Sequence, residues 1–569
     1  MTDAAAAASA DAPLLEPSGA GPSGAGPSGV GRASIALAAG TIVSRALGFA
    51  SAAVLAFTIG NQNPGANAFA LANQLPNNIY AIIAGGLLSA VLVPQIVRAG
   101  LHADGGQKFV NKLVTVGVVI FLAATAVATL AAPLLVGLYT LGNDSGSLRG
   151  GGVALAVSLA YWCLPQIFFY AIYSLLGEVL NARGVFGPFT WAPVLNNVVV
   201  IGVLLTFAAI FQVDPAHRDP ASWGTAEITL IAGGATLGVA AQALILLLFW
   251  RRTGLSFRPD FRWRGVGLSG VGRAAGWTFG MILVTQLAGI VQSNVAFTAG
   301  AGDASVAVLR TAWLIFMLPH SIVAVSIATP YFTRMSADAR DGDLAAVRAG
   351  LSSSLRTIGL LVTGSAAALA AAALPFAAVF ANSPREVVGI GGVLLAYLLG
   401  LVPFSVLFLT QRGYYALGDT RTPFLFQLVQ SGLFVIGALL VWMLAADAWV
   451  AAGIALVTSL AGTAQAIVAV LLLRRRLGGT GGRRVLRRFG VYLLATLPAA
   501  AAGLGVLALL GGLPADGDGF AVAGRPQGIV SVLIVGAASL LVYLAFLAIA
   551  RVPEVRELGD VARRLAHRS

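Results

Sequence analysis

Runs of roughly 20 apolar residues recur along almost the whole chain, each long enough as a helix to cross about 30 Å of hydrocarbon. This recurrence limits the fold more than any other feature. With 58% hydrophobic and only 10% charged residues, a soluble protein of 569 residues would lack the charge to cover its surface. The runs fall at 35–60, 68–97, 112–139, 152–180, 188–211, 225–250, 272–299, 304–331, 356–380, 387–411, 423–445, 447–473, 487–512 and 528–550. They define an all-α polytopic membrane protein of about 14 transmembrane helices. Residues 1–31, with the near-repeat PSGAGPSGAGPSG, bury too little apolar surface to offset their ordering entropy and read as a disordered tail. That tail lacks the basic-then-apolar order of a cleaved signal peptide, so the first span is expected to be retained.

The net charge of +13 would suit a nucleic-acid partner if it were gathered on one polar domain. Instead the basic residues are scattered between the apolar runs, and no nucleic acid is expected. With the N-terminus inside, the even-numbered connectors and both tails hold 29 of the 35 Lys and Arg residues. The opposite side holds Arg149, Arg218, Arg385 and Arg525, and two more arginines lie within spans. This alternation predicts that both termini are cytoplasmic. The single cysteine, Cys163, excludes an intramolecular disulfide and reads as a small core residue.

An internal repeat is visible. ARGVFGPFTWAPVLNNVVVIGVLL before and within the fifth span aligns with LGDTRTPFLFQLVQSGLFVIGALL before and within the eleventh. Pro188 meets Pro423 and Val200–Leu205 meets Val435–Leu440 at a constant offset of 235, while Pro76 has a counterpart at Pro319. A shift of six spans makes the two halves parallel repeats, an organisation found in transporters. The expected domains are an N-terminal lobe at 32–252, a basic cytoplasmic connector at 253–271 and a C-terminal lobe at 272–476. An extra helix pair at 485–550 and a basic cytoplasmic tail at 551–569 follow.

No catalytic constellation stands out. The four histidines have no metal-ligand spacing, and Gly265–Gly270 fits a dinucleotide pattern without the strand that pattern requires. Neither an enzyme nor a metal or cofactor site is expected. Polar groups inside the spans are more informative. Arg45 and Arg310 lie within spans, where an arginine costs on the order of 2.5–3.5 kcal/mol on insertion scales. Such a residue should face the bundle interior, a carboxylate or water, and Glu178 is the most deeply placed acid to serve as counter-charge. Asn73, Gln74, Asn77 and Asn78 flank Pro76, Asn196 and Asn197 follow Pro193, and Gln286, Gln292 and Asn294 lie in the seventh span. Taken singly these amides suit helix–helix hydrogen bonds; as a set they suggest a wet cavity.

SRALGF in the first span, LPN with a downstream Gly-Gly in the second, and LPQIFFYAIYSLLGEVLNARGVFGPFTWAPVLNN across the fourth and fifth resemble the MurJ/MviN lipid II flippases, actinobacterial members above all. The resemblance covers about residues 32–550. It implies two six-helix lobes working by alternating access in a bacterial cytoplasmic membrane, with the last two helices adding a lipid-tail groove. The implied cargo is an undecaprenyl-diphosphate-linked disaccharide-pentapeptide, moved to the outer leaflet for cell-wall synthesis, with cell-wall synthesis proteins as further partners. Arg45 matches the family's first motif arginine, and its forked, permanently charged donor set suits a diphosphate. Members of the family carry further charges where this chain has Ser51, Ala52, Asn67 and Tyr80, and an arginine near Leu314. Arg310 lies one turn before that position and is expected to replace it. Export of another polyprenyl-linked glycan is an alternative, and a non-transporting paralogue acting as an envelope-synthesis scaffold is another.

Overall fold

The computed structural model describes residues 27–87, 104, 106–141, 146–213, 217, 219–262, 273–479, 482–512 and 519–556. Residues 1–26, 263–272 of the connector and 557–569 of the C-terminal tail lie outside the described residues. The chain divides into two compact units, Met1–Gly302 and Asp303–Ser569. Every regular element among the described residues is helical.

The first unit holds α1 (Pro27–Ile59), α2 (Pro64–Leu87), α3 (Gln107–Leu130), α4 (Ala132–Thr140), α5 (Gly152–Cys163), α6 (Gln166–Ala182), α7 (Gly187–Phe211), α8 (Thr225–Thr253) and α9 (Arg273–Ala296). The second holds α10 (Val306–Arg340), α11 (Leu344–Ala371), α12 (Ala373–Phe380), α13 (Pro384–Leu398), α14 (Leu401–Ala416), α15 (Arg421–Leu444), α16 (Val450–Arg476), α17 (Gly482–Leu509) and α18 (Arg525–Ile549).

Three expectations change. Helix α1 begins at Pro27, so residues 27–31 are helical rather than part of a disordered tail. Among the described residues, twelve helices are long and apolar enough to cross a membrane, or thirteen with α13 and α14 taken as one span bent by 44°, so the count of fourteen is not confirmed. The shortfall is α2, whose amides around Pro76 dilute its apolar character; the run expected there extends to residue 97, beyond the described residues. Finally, the seventh span, α9, belongs to the first unit rather than opening the second. It packs on α2 and α4, where Asn294 Nδ2 donates to the Leu138 carbonyl at 2.9 Å.

The sequence repeat is visible in the helix boundaries. Adding 235 to α6 gives 401–417, against 401–416 for α14; adding it to α7 gives 422–446, against 421–444 for α15. The breaks at Leu164 and Leu399 differ by the same 235. Both connectors also close with the same hydrogen-bond motif. Val185 N–H reaches back to Leu180 O and Asp419 N–H to Tyr414 O, each at 2.9 Å. Gly184 (φ +76°) and Gly418 (φ +69°) supply the left-handed residue that this closure needs.

Small residues set the helix spacing, as expected where lipid gives helices no hydrophobic reason to associate. In the first unit, Gly234 of α8 meets the side chain of Val203 on α7. In the second, α17 and α18 pack on each other and on α11. Buried Tyr543 lies against Gly364 and donates to the Leu360 carbonyl at 2.9 Å. At one end of this trio, Arg356 pairs with Glu554 at 2.9 Å, with Arg488 at 3.7 Å from the other carboxylate oxygen. A Cβ built on Gly503 would stand 2.6 Å from Ala371 Cβ and 2.1 Å from Ser539 Oγ. Gly503→Val should therefore separate α17 from α11 and α18 and destabilise the protein by about 1–3 kcal/mol. Thermal unfolding of the purified chain checks this, and an unchanged midpoint would contradict the packing described.

Candidate functional site

Proline within α2 and α7 removes backbone N–H donors, and the amides beside them are placed to serve freed or neighbouring carbonyls. In α2 the residues around Pro76 divide by face. Asn73 and Asn77, one turn apart, are half-buried, whereas Asn78 is buried. Asn78 Nδ2 donates to Tyr139 Oη at 3.0 Å, joining α2 to α4. Asn73 Oδ1 accepts from Gln166 Nε2 at 3.2 Å, and the same amide nitrogen reaches Thr236 Oγ1 at 3.1 Å. Asn77 makes no hydrogen bond among the described residues. The polar face that α2 leaves accessible is thus Asn77 with Asn73 a turn before it, not the Asn77–Asn78 pair expected from sequence.

On α7, Asn196 and Asn197 point to different neighbours because consecutive helical residues are about 100° apart. Asn197 Nδ2 donates to the Ser44 carbonyl of α1 at 3.0 Å. Asn196 packs on Gly238 of α8, where a Cβ would lie 2.4 Å from its Oδ1. That oxygen is buried and has no hydrogen-bond partner among the described residues. Both asparagines therefore serve helix–helix contacts.

Arg45 follows Ser44, the residue whose carbonyl Asn197 holds, and is itself half-buried. Helix α1 contacts α7 and is buried chiefly near its C-terminal end, at Ala56, Thr58 and Ile59. Glu178, half-buried on α6, forms no ion pair among the described residues, so the expected Arg45–Glu178 pairing is not formed. It lies one turn beyond Ser174, which shares a short hydrogen bond with Tyr80, whose ring is 5.8 Å from that of Tyr170. Aromatic and hydroxyl groups therefore fill the place where the resemblance leads one to expect an arginine.

In the second unit, Arg310 is half-buried on α10, and the accessible positions of that helix recur at 310, 314, 318 and 322. Arg310 and Leu314 thus share one stripe, as positions four apart on a helix should. Behind the stripe, Trp313 stacks on Phe316 at 4.6 Å and meets Tyr397 edge-on at 5.3 Å. His320 Nδ1 and Ser405 Oγ lie 3.0 Å apart where α10 passes α14, at the π-turn after Pro319.

Sequence reasoning missed two polar networks. One is the Gln166–Thr236 link. The other joins Gln427, Gln430 and Ser431 of α15 to Gln465 of α16, with Gln465 Nε2 donating to Gln427 Oε1 at 2.9 Å and Gln427 Nε2 donating to Gln430 Oε1 at 2.8 Å. A signal was available, because Ser431 is the counterpart of Asn196 at the 235-residue offset. A cavity of about 460 Å³ in the second unit is lined by Asn382, Ser383, Arg525 and apolar neighbours, and by none of the residues expected from sequence. No group of three or more metal-ligating side chains occurs among the described residues.

Long apolar helices, a parallel repeat and amides within the spans define a polytopic transporter fold. Two solved structures share it. An inward-closed lipid II flippase MurJ superposes with a TM-score of 0.69 at 19% identity, over 90% of this chain and 98% of that one. An inward-facing multidrug resistance MATE family transporter gives 0.60 at 17% identity, over 76% and 94%. The family described as "Lipid II flippase MurJ" matches residues 55–513, and the chain belongs to that family. Relatives include a probable lipid II flippase MurJ of Haemophilus influenzae, 26% identical over 81% of this chain and 89% of its own length. A lipid II flippase MurJ of Burkholderia cenocepacia is 27% identical over 67% and 72%.

Asn197 is thus a structural amide and Asn77 an accessible one. Asn197→Leu removes an interhelical hydrogen bond and should cost about 0.6–1.7 kcal/mol, whereas Asn77→Leu should cost nothing measurable. Paired thermal melts of the two variants check this. Equal losses would contradict the assignment.

Proposed function

We propose that this chain carries lipid II across the bacterial cytoplasmic membrane, from inner to outer leaflet, by exposing one cargo site alternately to the two faces. The observation that carries the reading is the family match across residues 55–513, supported by the fold shared with an inward-closed MurJ. The chemistry of the spans agrees with an anionic cargo. Arg45 and Arg310 offer two-pronged guanidinium donors to phosphate oxygens. Asn77, half-buried and without a hydrogen bond among the described residues, adds a neutral donor and acceptor on the accessible face of α2. Arg310 takes the part of an arginine at Leu314, since both lie on the accessible stripe of α10.

We place both termini in the cytoplasm, because 29 basic residues lie on one side of the alternation and four on the other. The apolar outer surface of α17 and α18, with Leu497 at 67% and Leu541 at 68% exposure, suits a polyprenyl tail as well as bulk lipid. Coupling to the membrane potential fits a cargo whose charge is moved across it, worth about 2.3 kcal/mol per elementary charge per 100 mV.

Complementation of a flippase-depleted strain tests the reading. The wild-type chain should restore growth and clear lipid II from the inner leaflet. Hydrogen bonds to charged groups contribute about 1.5–3 kcal/mol, so Arg45→Ala and Arg310→Ala should each lower transport by tenfold or more at unchanged protein level. Arg45→Lys should rescue only in part, having lost the fork. Full rescue by both alanine variants would remove the arginine mechanism. Accumulation of a different glycan lipid, with lipid II undisturbed, would overturn the cargo.

A further inference from the structure

The connector that leaves α8 runs beside α3 without helix or turn over residues 255–262. Three side chains, each one helical turn from the next, hold its backbone. Ser256 N–H donates to Gln107 Oε1 at 2.9 Å, Arg258 N–H to Asn111 Oδ1 at 3.2 Å, and Asp260 N–H to Thr115 Oγ1 at 3.0 Å. Gln107 Nε2 closes the first rung by donating to Asn111 Oδ1 at 2.9 Å and to the Ser256 carbonyl. The spacing explains the pairing. Four helical residues advance about 6 Å and two extended residues about 6.6 Å, so every second N–H of the connector meets every fourth residue of α3.

Docking by one edge has a consequence for the side chains. In an extended chain they alternate between two faces while alternate N–H groups share one edge. The segment therefore has Phe257, Pro259 and Phe261 on one face and Ser256, Arg258, Asp260 and Arg262 on the other. Phe257 is 43% and Phe261 65% exposed, and Arg258 and Arg262 are exposed as well. A charged face and an apolar face, both uncovered, are thus held at a fixed height on a membrane helix.

That height follows from helix length. Helices α3 and α4, of 24 and 9 residues, are joined through Ala131. Ala131 breaks the helix between them, and α3 alone runs about 36 Å against roughly 30 Å of hydrocarbon, which puts its first turns at the hydrocarbon edge. The gripping residues, from Gln107 to Thr115 at the start of α3, span about 12 Å. They lie where hydrocarbon gives way to headgroups. Exposed Arg251 and Arg252, just before the ribbon in sequence, and exposed Lys108, next to Gln107 on α3, add positive charge there.

We propose that residues 255–262 form an interfacial membrane anchor. The amphipathic ribbon is pinned to α3 by Gln107, Asn111 and Thr115, sinks Phe257 and Phe261 into the acyl boundary, and lays Arg258 and Arg262 against anionic phosphodiester headgroups. It fixes the start of the connector to the first unit. The proposal does not depend on the identity of the cargo.

The test uses the full chain with Cys163→Ala, so that one introduced cysteine carries an environment-sensitive fluorophore. Phe261→Cys and Arg258→Cys are labelled separately and reconstituted into vesicles of phosphatidylcholine, with or without phosphatidylglycerol in both leaflets. The label at 261 should be quenched by a nitroxide on a shallow acyl carbon and shielded severalfold from aqueous iodide, more so with phosphatidylglycerol. The label at 258 should show the reverse preference. Adding Asn111→Leu should release the ribbon and abolish the shielding at 261. Equal iodide quenching at 261 and 258 in both lipids would overturn the anchor, including the alternative in which a soluble protein covers the ribbon in cells. Full shielding at 261 despite Asn111→Leu would overturn the pinning.

Discussion

Hydrocarbon offers no hydrogen-bond partner, and the described architecture follows from that constraint. Each helix satisfies its own backbone, so the contacts that fix one helix against another are made by side chains that add a second bond to a neighbour's carbonyl. Asn197 does this to Ser44, Asn294 to Leu138, Thr236 to Trp162, Tyr414 to Ala469, Ser459 to Ala396 and Tyr543 to Leu360. Each of these bonds lies within one of the two units, and glycine or another small residue often lets the backbones approach closely enough to form it. The units are thus held internally by a sparse set of polar fastenings rather than by hydrophobic burial, which lipid-facing leucines enjoy equally well without association.

The same constraint makes the remaining polar groups informative. A side chain inside a span that fastens nothing has to be offset by something else, and for a transporter that is water or cargo. Asn77 on α2 is in this position. Arg45 and Arg310, the two arginines left within spans, sit at half-buried positions, one in each unit. Permanently charged, forked donors on accessible helix faces suit a diphosphate, and the family described as lipid II flippases is where the sequence falls. Tyr80, bonded to Ser174 and close to Tyr170, shows that this chain builds part of its spans from hydroxyl and aromatic groups instead.

Much of the fold was legible in the sequence because the bilayer imposes a single length scale. Apolar runs near 20 residues located the helices, and the 235-residue offset aligned the fifth span with the eleventh; the breaks at Leu164 and Leu399 keep that offset, while the turn glycines Gly184 and Gly418 are 234 apart. The count of fourteen is not confirmed at α2, where amides lower the hydropathy of the described part of the expected span. The seventh span, expected in the second lobe from the six-span repeat, clusters with the first unit, because a repeat fixes orientation but not which neighbours a helix packs against. At the expected site, amide composition pointed to α2 and α7 but carried no information on which face each amide takes. Asn78 and Asn197 bond to neighbouring helices and Asn196 packs on Gly238, because adjacent residues on a helix face different neighbours. Arg310 and Leu314 were predictable as a pair, since their relation is a single helical turn. The docking of residues 255–262 on α3 was illegible, because it depends on matching a helical period to an extended one across about 150 residues of chain.

The central claim, that the chain itself moves a lipid-linked diphosphate across a bilayer, is tested most directly in vesicles. Purified chain would be reconstituted with lipid II bearing a fluorophore that a membrane-impermeant reductant bleaches. Transport predicts that bleaching proceeds past the outer-leaflet half towards completion, and that Arg45→Ala slows this second phase. Bleaching that halts at half, as in protein-free vesicles, while the reconstituted protein remains folded, would contradict the account.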